Sequence, residues 1–373
     1  LSRWVQVDSD WFDLAWMGLG GFGWFWVVLD EGTAMSATLK EIAQRTGRSI
    51  TTVSRALADY DDVSPETKSL VRRVAGELGY TPNLLAQRLQ KRRSDTIGLI
   101  LPTFGPRFAD PFFSEFLAGV GNMAAEHGYD LLVSTQAPGD REMQVYRQKV
   151  QSRQVDGFVI VRTRRQDTRI SYLEETGFPF VAFGRTENDL DFPFVDVDSI
   201  QGMRLIAEHL IGLGHCRLAC LAPPSDLLFA EQRLNGLRQA LTDHGLALPE
   251  ALVVLGDLTQ KGGYQAAARL LDSSQLPTAV VACNDLMALG AMSAIQERGL
   301  VIGRDIAVTG FDDIPMAEHS HPPLTTVHQP IYRIGKMVCE MLIQLIQGED
   351  LSPSQVILEP ALVVRQSCGS VGH

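Results

Sequence analysis

The sequence predicts an α/β protein made of a small N-terminal helix-turn-helix unit and a larger, doubly wound core with two lobes. Three short amphipathic helices, each with a cap at its start, fall between Thr38 and Gly79. From Ser94 onward, apolar runs such as "TIGLILP" and "DGFVIV" are bounded by Gly, Pro and Asp and alternate with amphipathic stretches. That alternation is typical of parallel strands joined by helices, and the eight runs suit two sheets better than one.

The three N-terminal helices have recognisable starts. The letters "TLKE", Thr38–Glu41, form a capping box, and "TGRS" ends the first helix. Ser49 caps the second helix, while Ser64 followed by Pro65 starts the third. Two short helices joined by a tight, glycine-containing turn and followed by a third helix predict a helix-turn-helix unit.

The second of these helices, within "SITTVSRALADY", has a short-armed, polar and weakly charged outer face. Such a face lets a helix lie deep in the DNA major groove, where an arginine can reach the paired acceptors of guanine. The alternative is an exposed helix of a generic three-helix domain. The inward residues are Val53, Ala56 and Leu57, and the outer ones are Ile50, Thr51, Ser54 and Arg55.

Charge is unevenly distributed along the chain. Residues 36–93 hold 11 Lys and Arg against 6 Asp and Glu, whereas residues 94–373 hold 21 against 33. A basic N-terminal unit on an acidic body favours a nucleic-acid partner, although the net charge of the chain is −11. The five cysteines have no metal-ligand spacing, so we expect reduced packing residues. The sequence has no run of 18 apolar residues, so no membrane span is expected.

Residues 1–34 differ from the rest of the chain. All five tryptophans lie within residues 4–26, in a Gly-rich apolar stretch that three aspartates accompany. Aspartates before the apolar run argue against a secretory signal. Gly18-x-Gly20-x-x-Gly23 has the letters of a dinucleotide fingerprint but lacks the flanking strand and helix that the motif requires. We therefore expect a non-native or disordered extension upstream of a natural start at Met35.

Residues 82–93 predict a linker. Pro82 stops the preceding helix, Asn83 can cap a short new one, and the basic run Lys91–Arg93 follows. A helix of that length is marginal in water on its own. We expect the segment to become ordered only when it is held.

The polar residues of the core cluster just after the predicted strands. Ligands of open α/β sheets bind at the carboxyl ends of the strands, so this clustering predicts a cleft between two lobes. The clustered residues are Asp110, Arg185, Asp257, Asn284 and Asp312.

Long motifs of the chain, in the same order, resemble the lac/gal repressor family. The stretch from "TLKEIAQRTGRSITTVSRAL" to "LGYTPNLLAQRL" is similar to that family's DNA-binding headpiece. Further on, "RLNGL", "NDLMALGAM", "GRDIAVTGFDD" and "PPLTTVHQP" are similar to its periplasmic-binding-protein-like core. The resemblance implies a headpiece at 36–81, a hinge helix at 82–93, and an effector-binding and dimerisation core at 94–368.

The resemblance also implies the function. Family members are cytoplasmic, homodimeric regulators of transcription, usually repressors, and a small molecule, most often a sugar, alters their affinity for double-stranded operator DNA. The base-reading positions of the family fall on Ile50, Thr51 and Arg55 of this chain. Its phosphate-contacting or helix-capping positions fall on Ser49, Thr52, Ser54 and Asn83.

Leu89 matches the hinge-helix leucine that the family inserts into the minor groove at the operator centre. An apolar wedge of this kind unstacks a base step and bends the DNA. Without the resemblance, ordinary packing would explain Leu89 equally well.

In the core, the resemblance implies effector contacts by Arg233, Asn284 and Asp312. A guanidinium, an amide and a carboxylate offer donors and acceptors to adjacent hydroxyls, which suits a sugar. A structural ion pair is the alternative for Arg233. The stretches "AFGR" and "PFVDVD" lean towards the α-glucoside-type sugar regulators. Phe112 and Phe113 match a pair near the pocket mouth, with core packing as the alternative, and Gln329 is a further candidate.

The sequence carries no nucleophile elbow, phosphate loop or paired acid and base, so we expect neither enzymatic activity nor a cofactor. His319 and His321 could chelate a metal, but a surface loop explains them better, and no metal site is expected. Two rivals remain: a free sugar-binding protein of the periplasmic type, and a sugar-modifying enzyme.

Overall fold

The computed structural model describes residues 37–80, 93–103, 110–187, 191–273 and 275–369. The chain divides into two compact units, Leu1–Asn83 and Leu84–His373. The predicted extension at 1–34 and the hinge contacts of Asn83 and Leu89 lie outside the described residues and stay predictions.

The N-terminal unit contains the three predicted helices. They are α1 (Leu39–Thr46), α2 (Ile50–Leu57) and α3 (Pro65–Glu77). Both hydrogen bonds of the Thr38–Glu41 capping box are present, and Gly47 ends α1 with a φ of 65° that favours glycine. The side chains that hold the three helices together include Ile42, Val53 and Val71, each fully buried.

The first lobe of the core has a parallel six-stranded sheet. Its strands are β1 (Thr96–Pro102), β2 (Asp130–Gln136), β3 (Gly157–Ile160), β4 (Phe180–Phe183), β5 (Phe194–Val197) and β11 (Gln355–Leu358). They lie in the order β11-β5-β4-β3-β1-β2. The helices of the lobe are α4 (Pro111–Glu126), α5 (Asp140–Gln151), α6 (Thr168–Thr176) and α12 (Ile331–Gln347).

These helices cover both faces of the sheet. In β1, Leu99 packs in the cluster that includes α4 and α12, and Ile100 packs in the cluster that includes α5 and α6. All seven residues of β1 are buried, as expected for a strand with a helical layer on each side.

The second lobe has a parallel four-stranded sheet. Its strands are β6 (Leu218–Ala222), β7 (Val253–Leu255), β8 (Ala279–Ala282) and β9 (Ala307–Thr309), in the order β7-β6-β8-β9. A short antiparallel pair, β10 (Thr326–His328) with β12 (Ala361–Val363), belongs to the same lobe. Its helices are α7 (Ser199–Gly212), α8 (Leu228–Asp243), α9 (Gln260–Leu271), α10 (Asp285–Glu297) and α11 (Pro315–His319).

The chain passes between the two lobes three times. The crossings lie between β5 and α7, between β10 and α12, and between β11 and β12. All eight predicted strands are present, in two parallel sheets. Four further strands, β5, β10, β11 and β12, were not predicted; they are only three or four residues long and make or border the crossings. In the described parts of the chain, no helix is both long and apolar enough to span a bilayer.

Candidate functional site

A cleft lies between the two lobes at the carboxyl ends of their strands. The space in the cleft and its open mouth together is about 680 Å³. All six core residues that the sequence analysis selected line it: Phe112, Phe113, Arg233, Asn284, Asp312 and Gln329.

Arg233 is a buried cation of the cleft. Its guanidinium lies over the ring of Phe311 at 3.6 Å from the centroid, and the ring of Phe229 lies 4.8 Å away. Nη1 donates to the carbonyl oxygen of Cys283, and Nη2 is 3.5 Å from Oδ1 of Asp312. Nε is buried and has no hydrogen-bond partner among the described residues. A buried unpaired donor is unfavourable, so a ligand oxygen that reached Nε would be bound favourably there.

Asp312 is the acidic counterpart of Arg233. Gln329 Nε2 donates to its Oδ1 at 2.7 Å. Burial raises the pKa of the Asp312 carboxyl to about 7, although the charge of Arg233 acts in the opposite direction. The carboxylate therefore titrates near neutral pH, which is typical of a functional position.

The cleft contains three of the seven non-glycine residues with positive φ in the described part of the chain. They are Arg162 at 49°, Leu258 at 65° and Asp312 at 119°. This conformation is unfavourable for residues with a Cβ and persists where the surrounding structure imposes it. Such residues collect at ligand sites, so the strain supports a binding role for this cleft.

Asn284 has a structural role that the sequence analysis did not predict. It caps α10, because its Oδ1 accepts from Met287 N–H at 3.1 Å, and its Nδ2 donates to the Leu258 carbonyl at 3.1 Å. Its amide therefore holds the strained Leu258 segment at the cleft wall. Direct contact between Asn284 and a ligand stays a prediction.

Phe112 and Phe113 have different surroundings in the cleft and therefore different roles. Phe112 is half-buried and stacks on Phe183, with ring centroids 5.8 Å apart and planes 16° apart. Phe113 is almost fully buried, and the Arg162 guanidinium lies 4.9 Å from its ring centroid. Phe112 is the better placed of the two to cover a ligand, whereas Phe113 supports Arg162.

The second candidate site is the outer face of α2. Ile50, Thr51 and Arg55 are exposed on it. Arg55 forms an ion pair with Asp62 at 2.5 Å and lies 4.8 Å from the ring centroid of Tyr60. The exposed pair is weak, so the side chain is free to exchange Asp62 for another partner.

Two further DNA-contact candidates, Ser49 and Thr52, lie at the start of α2 and bond to each other. Ser49 Oγ accepts from Thr52 N–H at 3.0 Å and lies 2.8 Å from Thr52 Oγ1. Ser54 is half-buried. Contacts of Ser49, Thr52 and Ser54 with DNA stay predictions.

Two family models match the chain. Residues 38–83 match the bacterial regulatory proteins of the lacI family, and residues 207–368 match the periplasmic binding protein-like domain. The transcriptional regulator CelR of Thermobifida fusca is 36% identical over 333 residues, which cover 88% of this chain and 98% of CelR. AglR of Rhizobium meliloti, also a transcriptional regulator, is 38% identical over 339 residues, covering 90% and 95%.

Solved structures agree with these matches. A CelR–cellobiose complex is 35% identical with a TM-score of 0.69, covering 89% of this chain and 99% of that one. The lac repressor dimer bound to operator and the anti-inducer ONPF is 30% identical with a TM-score of 0.79, covering 90% and 100%. This chain belongs to the LacI family.

In this LacI-family chain the cleft also contains residues that the sequence analysis did not select as effector contacts. They are Asp110, Arg162, Phe183, Arg185, Asp196 and Phe229. Asp110 and Arg185 follow predicted strands and could have been selected on that signal. Asp257, which was grouped with them, does not line the cleft, because its Oδ1 accepts from Thr259 N–H at 2.9 Å and supports the start of α9.

The described residues contain no group of three or more His, Cys, Asp or Glu side chains arranged to hold a metal ion. The five cysteines all lie in the described ranges as free thiols.

Proposed function

We propose that this LacI-family protein regulates transcription by binding operator DNA through α2, and that a sugar bound in the core cleft alters its operator affinity. One observation carries the proposal: a single chain combines the exposed polar face of α2 with a polar cleft that contains the strained Asp312 and an Arg233 Nε without a partner among the described residues. A regulator needs both sites, whereas a free binding protein needs only the cleft.

The chemistry of the cleft favours a sugar. Arg233 supplies donors, Asp312 supplies an acceptor, and Gln329 with Asn284 supply amides. Phe112 offers a half-buried ring face at the edge. Adjacent hydroxyls of a sugar can donate and accept at once, so they match this mixture. The similarity to CelR, whose solved complex contains cellobiose, supports the same class of effector.

We propose that the protein acts as a cytoplasmic homodimer, because two copies can read two operator half-sites. The solved lac repressor, a dimer on its operator, supports this assembly. The proposed regions are the headpiece at 36–81, the hinge at 82–93 and the core at 94–368. Enzymatic activity is not part of the proposal, because the similar proteins CelR and AglR are named as transcriptional regulators.

The test is binding-site selection with the full chain and a random DNA library, followed by gel shifts with a panel of neutral sugars. The proposal expects one enriched, two-fold symmetric sequence whose retardation at least one sugar changes. A stand-alone sugar-binding protein would enrich no sequence and would still bind sugar. Consumption of a sugar during the incubation would instead favour an enzyme.

A further inference from the structure

The cleft holds three guanidinium groups, and each is paired with a carboxylate of the same cleft. Arg162 Nη2 is 2.9 Å from Oδ2 of Asp110, and Arg185 Nε is 2.7 Å from Oδ2 of Asp196. The third pair is Arg233 with Asp312, at 3.5 Å. Within the described lining, these are all the Asp, Glu, Lys and Arg side chains, so guanidinium and carboxyl groups are equal in number, and their charges balance above about pH 7, where Asp312 is ionised.

The pairs are held inside the cleft wall. The side chains of Arg162 and Asp110 are 16% and 17% exposed. Burial raises the pKa of the Asp110 carboxyl, and the Arg162 charge opposes that rise. Removing two charges from water is unfavourable and is offset only when they stay together. A ligand that displaced Asp110 from Arg162 would leave a buried carboxylate without its partner.

Arg233 is closed to a chelating anion for a different reason. The rings of Phe311 and Phe229 lie against its guanidinium, and the Cys283 carbonyl occupies Nη1. Among the described residues, the buried Nε has no hydrogen-bond partner, and Nη2 has the Asp312 carboxylate 3.5 Å away. Strong phosphate or carboxylate recognition uses two parallel N–H groups, and an anion that used Nε and Nη2 together would also meet the charge of Asp312, whereas an uncharged hydroxyl would not be repelled.

We propose that the cleft accepts an uncharged, polyhydroxylated effector and rejects anionic ones such as sugar phosphates and sugar acids, because Asp110 and Asp196 occupy the guanidinium groups that an anion would need. The inference rests on the proposed function and specifies the effector class of the same cleft. Asp110 has the larger part in the exclusion. It stands at the N-cap of α4, where its Oδ1 accepts from Phe112 N–H at 3.2 Å.

Without the charge of the Asp110 carboxylate, the start of α4 beside Arg162 would attract anions. The positive end of the α4 dipole would face a site that also held an unpaired Arg162. Asparagine is nearly isosteric with aspartate and caps helices equally well. Asp110→Asn therefore removes the charge while keeping the cap, which makes it the sharpest variant for a test.

The experiment measures the melting temperature of the full chain with sodium phosphate, against sodium chloride at equal ionic strength. In the wild type we expect no phosphate response beyond the general stabilisation that an excluded salt gives every variant equally. In Asp110→Asn we expect phosphate to raise the melting temperature by about 2–3 °C once its concentration is about ten times the dissociation constant. Adding Arg162→Gln to that variant should abolish the gain.

Asp272→Asn is the matched control. Asp272 pairs with Arg298 at 2.8 Å outside the cleft, with its side chain 72% exposed, so its loss should create no phosphate response. Should Asp110→Asn fail to fold, Asp196→Asn carries the same prediction through Arg185. The wild type is also tested with glucose, cellobiose and glucose 6-phosphate. Glucose 6-phosphate should raise the melting temperature no more than sodium chloride does at equal ionic strength.

A phosphate gain in Asp110→Asn that Arg162→Gln removes would support the proposal. It is overturned if phosphate or glucose 6-phosphate already stabilises the wild type through Arg162, or if folded Asp110→Asn shows no gain. These outcomes are independent of DNA binding. If the binding-site selection failed, the proposed regulatory function would be refuted but the proposal on anion exclusion would stand. If the phosphate experiment failed, the proposal on anion exclusion would be refuted but the regulatory function would stand.

Discussion

At the scale of single residues, the cleft combines features that are unfavourable for folding alone. Asp312 is buried, has a φ of 119°, and its carboxyl pKa is raised to about 7. Arg233 has a buried Nε with no partner among the described residues. Both features become favourable once a ligand donates a hydroxyl to the carboxylate and accepts from Nε, because the unpaired groups are then satisfied.

This pairing predicts that effector affinity depends on pH. A hydroxyl that donates to Asp312 stabilises the charged carboxylate, so binding lowers the pKa of that group. Affinity should therefore rise as pH increases through about 7, by at most about tenfold between about pH 6 and pH 8, and level off above. Calorimetry at several pH values measures this dependence of effector affinity on pH. Asp312→Asn should bind more weakly and give a flat profile.

The surroundings of Asp312 make that control necessary. Arg233, Arg162 and Asp110 all act on its pKa, and burial raises the pKa of neighbouring Asp285 well above its ordinary value. A slope that persisted in Asp312→Asn would assign the titration to a neighbouring carboxyl, Asp110 or Asp285, and contradict the prediction.

On the DNA side, Arg55→Ala should weaken operator binding by about 1–3 kcal/mol and relax the preference at one base pair in each half-site. The reason is the exposure of Arg55 on α2 and its weak, replaceable pair with Asp62. Fluorescence anisotropy across single-base operator variants measures both effects. Arg298→Ala, in the core, serves as the control. Equal discrimination by wild type and Arg55→Ala would refute the base-reading role.

The residues of the cleft differ in how far the sequence could predict them. Arg233, Asn284 and Asp312 stand in long motifs, so the resemblance located them. Arg162 and Asp110 are 52 positions apart, and no periodicity indicates which arginine pairs with which aspartate. That information exists only once β1 and β3 lie side by side in the sheet. The balance of charge in the cleft was therefore not predictable from sequence.

At the scale of elements, the crossing of α4 with α12 depends on two glycines. A Cβ at Gly119 would collide with the carbonyl of Tyr332, and a Cβ at Gly335 would collide with the carbonyl of Phe116. The two helix backbones therefore touch at this point. The crossing supports the lobe that carries Asp110 and Phe112 at the start of α4.

Gly119→Ala should consequently destabilise the protein by about 1–3 kcal/mol, because the helices must separate to admit a methyl group. Gly121→Ala, two residues further along α4, is the matched control. A Cβ there meets only Leu131 Cδ2 at 3.9 Å, and alanine is favoured over glycine in helices by about 1 kcal/mol. Chemical denaturation measures both. Equal stability of the two variants would contradict the close packing.

Elements were predictable where local signals were strong. The capping box of α1, the caps of α2 and α3, and the eight apolar strands follow from sequence alone. β10 and β12 were missed because each is three residues long and pairs with the other from a distance of more than thirty positions. Their pairing depends on the chain leaving the second lobe for α12 and β11 and then returning, which no local pattern encodes.

At the scale of the whole core, the two lobes are joined across one edge of the cleft. Arg165 N–H donates to the Asp226 carbonyl at 2.9 Å, and Leu228 N–H donates to the Thr163 carbonyl at 3.3 Å. Arg165 Nε also lies 2.9 Å from Oε2 of Glu231 in the opposite lobe. Because these contacts lie at the edge of the cleft, we expect that a ligand between the lobes can bias the core towards the arrangement that keeps them.

A ligand can shift operator affinity only by its differential affinity for the two core states, and the effect must be reciprocal. The most direct test measures operator affinity with and without the stabilising neutral sugar, and sugar affinity with and without operator. We expect the sugar to change operator affinity, and the operator to change sugar affinity, by the same factor of at least about fivefold. Arg233→Gln should abolish both changes. A sugar that binds in the cleft of the wild type while operator affinity stays unchanged would contradict it.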